Sequence, residues 1–105
     1  MTTKRVDFFE AARAELIEAM SWYAERDRAV ARRFIIEVRR VTRLIESHSG
    51  IGAPWDDARL AKPVRRIPLT KFPYLIVYID AQTIQIVAVA HSKRRPGYWK
   101  TRITQ

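Results

Sequence analysis

The hydrophobic pattern of this chain changes from the period of a helix to that of a strand around Gly50, Gly52 and Pro54. Over about forty residues before that point, apolar side chains recur every three or four positions, the spacing of one face of an α-helix. Beyond it they form short runs rich in Val, Ile and Tyr, which are typical of β-strands. A chain in which helices precede a group of strands is expected to fold as an α+β protein.

Two amphipathic helices are predicted in the first half. The first begins at Glu10 and ends at about Glu25. Its apolar positions are Ala12, Leu16, Ala19, Met20 and Tyr23. Asp27 is a favourable N-cap for the second helix. That helix has the apolar stripe Phe34, Val38, Val41 and Ile45, with arginines on its other side. Because the turn between them is very short, the two helices should form an antiparallel hairpin.

Four strands are predicted around this hairpin. They cover residues 4–9, 64–69, 74–79 and 83–90, and the segment 49–63 is predicted to be a loop. The connections 71–73 and 80–82 have the length of hairpin turns, so the last three strands should form an antiparallel meander. We therefore expect one domain over residues 1–105, with one curved sheet and the helices on one face.

The charge of the chain is distributed unevenly. It has 20 Lys and Arg against 11 Asp and Glu, a net charge of +9. Residues 1–58 hold ten basic and ten acidic residues, whereas residues 59–105 hold ten basic residues against Asp80 alone. Such asymmetry favours a polyanionic partner, either nucleic acid or an acidic protein segment. The alternative is a solvated basic surface without a partner.

Several classes of protein are excluded by what the sequence lacks. It has no cysteine, so it forms neither disulfides nor thiolate zinc sites. It has no apolar stretch long enough to cross a bilayer and no signal-peptide pattern, so we expect a soluble, cytoplasmic protein. Asp56 and Asp57 lack a third ligand at a metal-binding spacing. No metal or cofactor is therefore expected.

One tract combines residue types that suit phosphate or base recognition. The segment His91-Ser92-Lys93-Arg94-Arg95-Pro96-Gly97-Tyr98-Trp99 directly follows the last predicted strand. It brings a titratable ring, three cations and two aromatic rings to one edge of the fold. Phosphates are bound by charge-assisted hydrogen bonds and bases by stacking, and packing a core requires neither.

Short motifs in a fixed order resemble those of a known family. They are Ala11 to Leu16, Trp22-Tyr23, Arg32-Arg33-Phe34, Val64-Arg65-Arg66, Phe72-Pro73-Tyr74, Val77-Tyr78, Ala90-His91, Arg94-Arg95-Pro96 and Tyr98-Trp99. With them, the chain resembles the RelE/ParE superfamily of toxins from type II toxin-antitoxin systems, which includes proteins called plasmid stabilisation proteins. The resemblance extends from about Phe8 to Trp99.

The resemblance implies growth inhibition and an antitoxin, but two kinds of target. Relatives like RelE cut messenger RNA on the ribosome, whereas relatives like ParE poison DNA gyrase without hydrolysing anything themselves. Both kinds are neutralised by an antitoxin, whose acidic, partly disordered segment would wrap the toxin. We expect apolar surface to remain for it along the helix hairpin and on the sheet face opposite the helices.

The RNase hypothesis requires particular catalytic residues. Cleavage through the 2′-hydroxyl needs a proton acceptor, a proton donor and charge stabilisation at the phosphate. The candidate catalytic residues are His91, Arg65, Arg66, Arg94 and Tyr98. Strand alternation places Arg65 and Arg66 on opposite faces, so at most one of them reaches such a site. Residues expected to contact the target or the antitoxin are Lys71, Lys93, Arg94, Arg95, Tyr98 and Trp99.

Each candidate also has a structural alternative. His91 would then cap the end of the last strand, and the two aromatics would pack the tail against the fold, Trp99 more so than Tyr98. The two central strands, 74–79 and 83–90, contain no Lys or Arg. Relatives like RelE usually carry more Lys and Arg on these strands, so the resemblance favours ParE-like action on gyrase. Against this, many gyrase-poisoning relatives lack the combination of His91 and Tyr98. A RelE-like endonuclease is the alternative, and an inert, partner-binding member is a third hypothesis.

Overall fold

The structure of the protein is a computed structural model that describes residues 3–104. It contains helices α1 (Glu10–Arg26) and α2 (Arg28–Ser47). The strands are β1 (Val6–Phe8), β2 (Ala53–Pro54), β3 (Val64–Pro68), β4 (Tyr74–Ile79) and β5 (Ile84–His91). Short 3₁₀ helices occupy Ser49–Ile51 and Tyr98–Arg102. The predicted α+β class and the order of helices and main strands are confirmed.

The five strands form one mixed sheet in the order β1-β5-β4-β3-β2. The last three strands make the predicted antiparallel meander. The first strand is shorter than expected and lies parallel to β5. The segment predicted to be a loop differs more, because Ala53 and Pro54 pair with β3 as a two-residue edge strand. Proline at an edge is tolerated, since the sheet continues no further there.

The helix hairpin covers one face of the sheet, as predicted. A single residue, Asp27, separates the helices, and its side chain accepts a hydrogen bond from the Ala29 amide at 2.9 Å. The predicted apolar stripes of both helices pack into the core beneath them. Within residues 3–104, neither helix is long and apolar enough to cross a membrane.

The opposite face of the sheet is also covered, and here the sequence-based expectation was wrong. Val77 and Val87 are completely buried on that side, beneath Trp99, Leu60 and the half-buried Trp55. The chain therefore supplies its own cover from its C-terminal residues and from the loop before β3. Exposed apolar side chains lie instead on the helix hairpin, where the sequence also predicted them. Ile17, Trp22 and Ile36 are 51–58% exposed.

A β-bulge in β5 sets which face the end of that strand presents. Val77 pairs with Ala88 and Tyr78 with Ile86, so Val87 has no opposite residue. The alternation of faces shifts by one at this point. Ile84 and Ile86 pack under the helices before the bulge, and Val89 does so after it. His91, two residues further on, therefore shares the helix side with Val89.

Gly52 lies where another side chain would not fit. A Cβ there would stand 2.6 Å from the Tyr78 hydroxyl and 3.0 Å from the Arg66 carbonyl oxygen. The buried Tyr78 hydroxyl accepts a hydrogen bond from the Gly52 amide and donates one to the Ser49 carbonyl. We predict that Gly52→Ala lowers the free energy of unfolding by about 1–3 kcal/mol through overpacking.

Gly50→Ala is the matched control. A Cβ there would have only the Arg65 guanidinium, at 4.0 Å, near it. Urea unfolding of both variants measures the difference. If the two substitutions lowered the free energy of unfolding equally, the close contact between residue 52 and Tyr78 would be refuted.

Candidate functional site

His91 lies at the end of β5, on the edge where the basic tract (residues 91–99) begins. Its ring meets that of Tyr74 edge to face, with ring centres 5.0 Å apart. Its Nδ1 accepts a hydrogen bond from the Lys93 amide at 3.0 Å, and its carbonyl oxygen accepts one from the Arg94 amide. His91 therefore caps the strand end, through its own ring nitrogen and not through a neighbouring carbonyl. Nε2 is left for another partner.

The rest of the basic tract turns back toward the sheet. The Ser92 amide donates to the Pro73 carbonyl oxygen at 2.8 Å. Gly97 has a φ of 78°, in the left-handed region, and starts the 3₁₀ helix at Tyr98. A Cβ at Gly97 would also lie 2.7 Å from Cε of Lys100. The turn predicted from Pro96-Gly97 is present, and it requires glycine.

Glu15 of α1 holds the end of the tract in place. Both of its carboxylate oxygens accept hydrogen bonds from the Arg102 guanidinium, at 3.0 and 2.9 Å. The Tyr98 hydroxyl donates to the same carboxylate at 2.5 Å. The side chains of Glu15 and Arg102 are only 16% and 21% exposed. We call these three residues, Glu15, Tyr98 and Arg102, the Glu15 cluster.

The Glu15 cluster also completes the sheet where β1 ends. The pairing of β1 with β5 stops at Ile86, which leaves the next groups on that edge without a strand partner. The Val89 amide donates to Glu15 at 3.0 Å, and the Val87 carbonyl oxygen accepts from Arg102 at 2.9 Å. Two side chains thus satisfy backbone groups that would otherwise be left unpaired near the core.

These contacts shift the pKa values of both acidic groups in the Glu15 cluster. Burial opposes ionisation of Glu15, but hydrogen bonds from Arg102, Tyr98 and the Val89 amide outweigh it and lower the pKa of that carboxyl. Burial, followed by the hydrogen bond to Glu15, strongly raises the pKa of the Tyr98 hydroxyl. Tyr98 is therefore a poor proton donor in this conformation, because its proton is retained for the carboxylate.

The candidates Arg65 and Arg66 point to different places, as the alternation predicted. The Arg65 guanidinium donates to Asp80 at 3.0 Å and to the Gly52 carbonyl oxygen at 2.9 Å. It joins β3 to the far end of β4, away from the tract. Arg66 instead lies over the ring of Trp55, 4.9 Å from its centre. Only Arg66 is on the side of the basic tract.

Two grooves flank the tract. The first, of about 420 Å³, is lined by Trp22, Tyr23, Tyr74, His91, Lys93 and Arg94, and we call it the α1 groove. The second, of about 370 Å³, is lined by Trp55, Arg66, Leu75, His91, Arg94 and Arg95, and we call it the arginine groove. Aromatic rings and cations stand side by side in both. His91 and Arg94 border both grooves, so the tract forms the ridge between them.

The remaining predicted contact residues do not share one surface. Trp99 is 1% exposed and packs against Trp55, with ring centres 5.0 Å apart, so its side chain is a core element. Lys71 is exposed in the β3–β4 turn, on a separate depression beside α2. Arg94 lies over the Tyr98 ring at 3.9 Å. Lys93, Arg94 and Arg95 are exposed, and none has a carboxylate within 4.0 Å among residues 3–104.

The sequence reasoning did not identify Glu15 or Arg102 as part of this site. Glu15 reads as an ordinary helical glutamate, and Arg102 lies beyond the family-like motifs. One feature of the sequence does indicate that Glu15 needs a partner. Glu15 occupies the helix turn next to Ala12 and Ala19, which are both on the buried stripe. A charged residue beside a buried stripe is expected to need a partner.

Comparison with known proteins places the chain in a family. A family model described as the ParE toxin of the type II toxin-antitoxin system, parDE, matches residues 6–96. A solved structure described as the chromosomal ParDE toxin-antitoxin system from P. aeruginosa is similar, with a TM-score of 0.69 at 16% identity, covering 87% of this chain and 98% of that one. A search of curated proteins finds no match. Because the family model spans most of the sequence, the chain belongs to the ParE toxin family of type II toxin-antitoxin systems.

Proposed function

We propose that the protein inhibits growth by binding DNA gyrase, without catalysing hydrolysis, and that a cognate antitoxin neutralises it. The observation that carries this choice of target is the Glu15 cluster. The hydroxyl of Tyr98, a candidate for acid chemistry, is committed to Glu15 at 2.5 Å. Membership of the ParE family supports the same choice.

An RNA-cutting centre would need several free groups within reach of one phosphate. Of the five candidates, Arg65 is bound to Asp80 and Gly52, away from the tract. Tyr98 is bound to Glu15. His91, Arg66 and Arg94 remain, so the set lacks a second proton-transfer group. A surface that binds through charge and aromatic rings suits this arrangement better.

One observation supports the RelE-like alternative. His91 borders both grooves beside exposed cations, and its Nε2 is not engaged by the hydrogen bond at Nδ1. A single histidine among arginines would suit phosphate chemistry if the ribosome supplied the missing group. This alternative predicts that toxicity depends on the His91 ring.

We propose that the antitoxin binds in the α1 groove. The half-exposed Trp22 lines it together with Lys93, Arg94 and the exposed Glu18. A segment whose apolar side chains cover Trp22 and whose carboxylates pair with Lys93 and Arg94 would match this lining. Such a segment, disordered when free, would order as it binds.

The deciding experiment compares wild type with His91→Ala and Tyr98→Phe. Purified protein is added to gyrase and supercoiled plasmid, and cleaved DNA is measured. We expect cleaved complexes to accumulate with all three proteins, because no proton transfer by either residue is required. In parallel, expression without antitoxin should stop growth, and DNA synthesis should fail before translation does.

Other results would contradict the proposal. Codon-phased cuts in translated messages that disappear with His91→Ala would establish the RNase instead. Growth that continues without antitoxin would support the inert-member hypothesis. An Arg65→Gln variant is the control for loss of stability. It weakens an anchor of the sheet that lies away from the tract, so it shows how much of any lost activity comes from destabilisation alone.

A further inference from the structure

The outer face of α2 carries a row of arginines. Arg28, Arg32, Arg39 and Arg43 follow one another at intervals of four, seven and four positions, which places them on one side of the helix. All four are exposed. They extend over about 22 Å at 1.5 Å per residue. We call these four residues the arginine stripe. It lies opposite the buried stripe of α2 and is separate from the basic tract.

The arginine stripe is not neutralised by the protein itself. Among residues 3–104, none of its guanidinium groups has a carboxylate within 4.0 Å. The carboxylate of Glu37, also on α2, is engaged by Arg40 at 2.8 Å and by the Thr70 amide. Glu46, three residues after Arg43, makes no ion pair within 4.0 Å among residues 3–104, so the stripe presents a row of unpaired guanidinium groups to the solvent.

The arrangement is unfavourable for the helix. Arg28 and Arg32, and again Arg39 and Arg43, are like charges four residues apart, which destabilises a helix by about 0.2–0.5 kcal/mol per pair. Arg28 also stands at the helix N-terminus, where the dipole disfavours a cation. A surface kept only for solubility could alternate signs at no such cost. The stripe is better explained by a ligand that supplies the negative charge.

From these features we infer that the arginine stripe binds the phosphate backbone of nucleic acid. Guanidinium groups pair with phosphate oxygens through two parallel hydrogen bonds. A protein partner fits less well, because protein interfaces combine arginine with Trp and Tyr anchors, and α2 contains neither Trp nor Tyr. Within the described residues 3–104, Ile36 is the only large apolar side chain exposed along the stripe. Interfaces with nucleic acid are polar and strongly positive, as this face is.

The inference does not depend on the toxin's target, since it concerns the free protein and nucleic acid alone. The test measures binding of fluorescent duplex DNA of two unrelated sequences by anisotropy, at several salt concentrations. Four phosphate contacts predict a slope of log K against log salt of about −3.6, so the affinity should fall about 150-fold between 50 and 200 mM salt. Both sequences should bind alike.

The variant is Arg32→Gln/Arg39→Gln and its control is Arg13→Gln/Lys62→Gln, which removes the same charge from two exposed residues outside both the arginine stripe and the basic tract. The stripe variant should halve the slope to about −1.8, leaving about a 12-fold fall over the same salt range. The control should keep a slope near wild type. Thermal unfolding should show that the stripe variant is at least as stable as wild type, because like charges have been removed.

Three outcomes would overturn the inference. Equal loss in both variants would mean that DNA responds only to net charge. Unchanged binding in the stripe variant would place the DNA site elsewhere. If an acidic helical peptide bound wild type but not the stripe variant, while both bound DNA equally, the stripe would be a protein-binding surface. None of these results would bear on gyrase cleavage, which is measured separately.

Discussion

Replacing Trp99 by alanine is expected to lower the free energy of unfolding by about 3–5 kcal/mol, the range for truncating a large buried aromatic. The ring is 1% exposed and covers Val77 and Val87 on the sheet face away from the helices. Its loss would open a cavity and release the contact with Trp55. Since domains of this kind are stable by about 5–15 kcal/mol, the variant should lose about a fifth or more of the total stability. Urea unfolding measures the change.

Trp22→Ala is the matched control for that experiment. The same side chain is removed, but from a position that is 51% exposed at the rim of the α1 groove. Its stability should change by about 0.5 kcal/mol, as for other surface positions. Equal losses at residues 22 and 99 would mean that Trp99 does not pack where the structure places it.

Glu15→Gln is expected to lower the free energy of unfolding by about 2–3 kcal/mol near neutral pH, since hydrogen bonds to charged groups contribute about 1.5–3 kcal/mol. Glutamine keeps one acceptor oxygen but leaves the Arg102 guanidinium without its counter-ion. The Tyr98 hydroxyl and the Val89 amide then compete for that oxygen. Thermal or urea unfolding at about pH 7 and about pH 3 measures the effect.

The effect of Glu15→Gln should depend on pH in a definite direction. The pKa of Glu15 is lower in the folded protein than in the unfolded chain, so the folded state binds fewer protons. The stability that Glu15 contributes is therefore present at neutral pH and is lost as the pH falls below about 4.5. Asp57 and Asp80 titrate in the same direction and weaken both proteins in acid. The difference between variant and wild type should nevertheless shrink.

Glu18→Gln provides the comparison on the same helix. Glu18 is exposed and makes no ion pair within residues 3–104. Its replacement should change stability by about 0.5 kcal/mol or less. A Glu15→Gln deficit that stayed the same at both pH values would show that the carboxylate charge is not what the variant loses.

The helices and main strands followed from local pattern alone. The stripes around Phe34 and Leu16 have the period of a helix and needed no knowledge of distant residues. Strands β3, β4 and β5 were recognisable because apolar runs alternate with short turns. The α+β architecture could therefore be predicted nearly in full, together with the position of the basic tract at the end of a strand.

What could not be predicted depends on residues far apart in the chain. Glu15 and Arg102 are separated by 87 positions, and nothing in either neighbourhood marks them as partners. Likewise, Trp55 and Trp99 cover the second face only because the C-terminal segment turns back at Gly97. Periodicity reports which residues of one element share a face. It does not report which element lies over that face.

The bulge at Val87 limits how the chain can be recombined with its relatives. The bulge shifts the alternation of side chains in β5 by one residue. The face assigned to a residue by counting from Ile84 is therefore opposite to the face assigned by counting back from His91. Deleting Val87, which has no opposite residue in β4, would put the rest of β5 out of phase and turn His91 away from α1 and toward Trp55. Exchange of the C-terminal segment must therefore carry the whole of β5 with it.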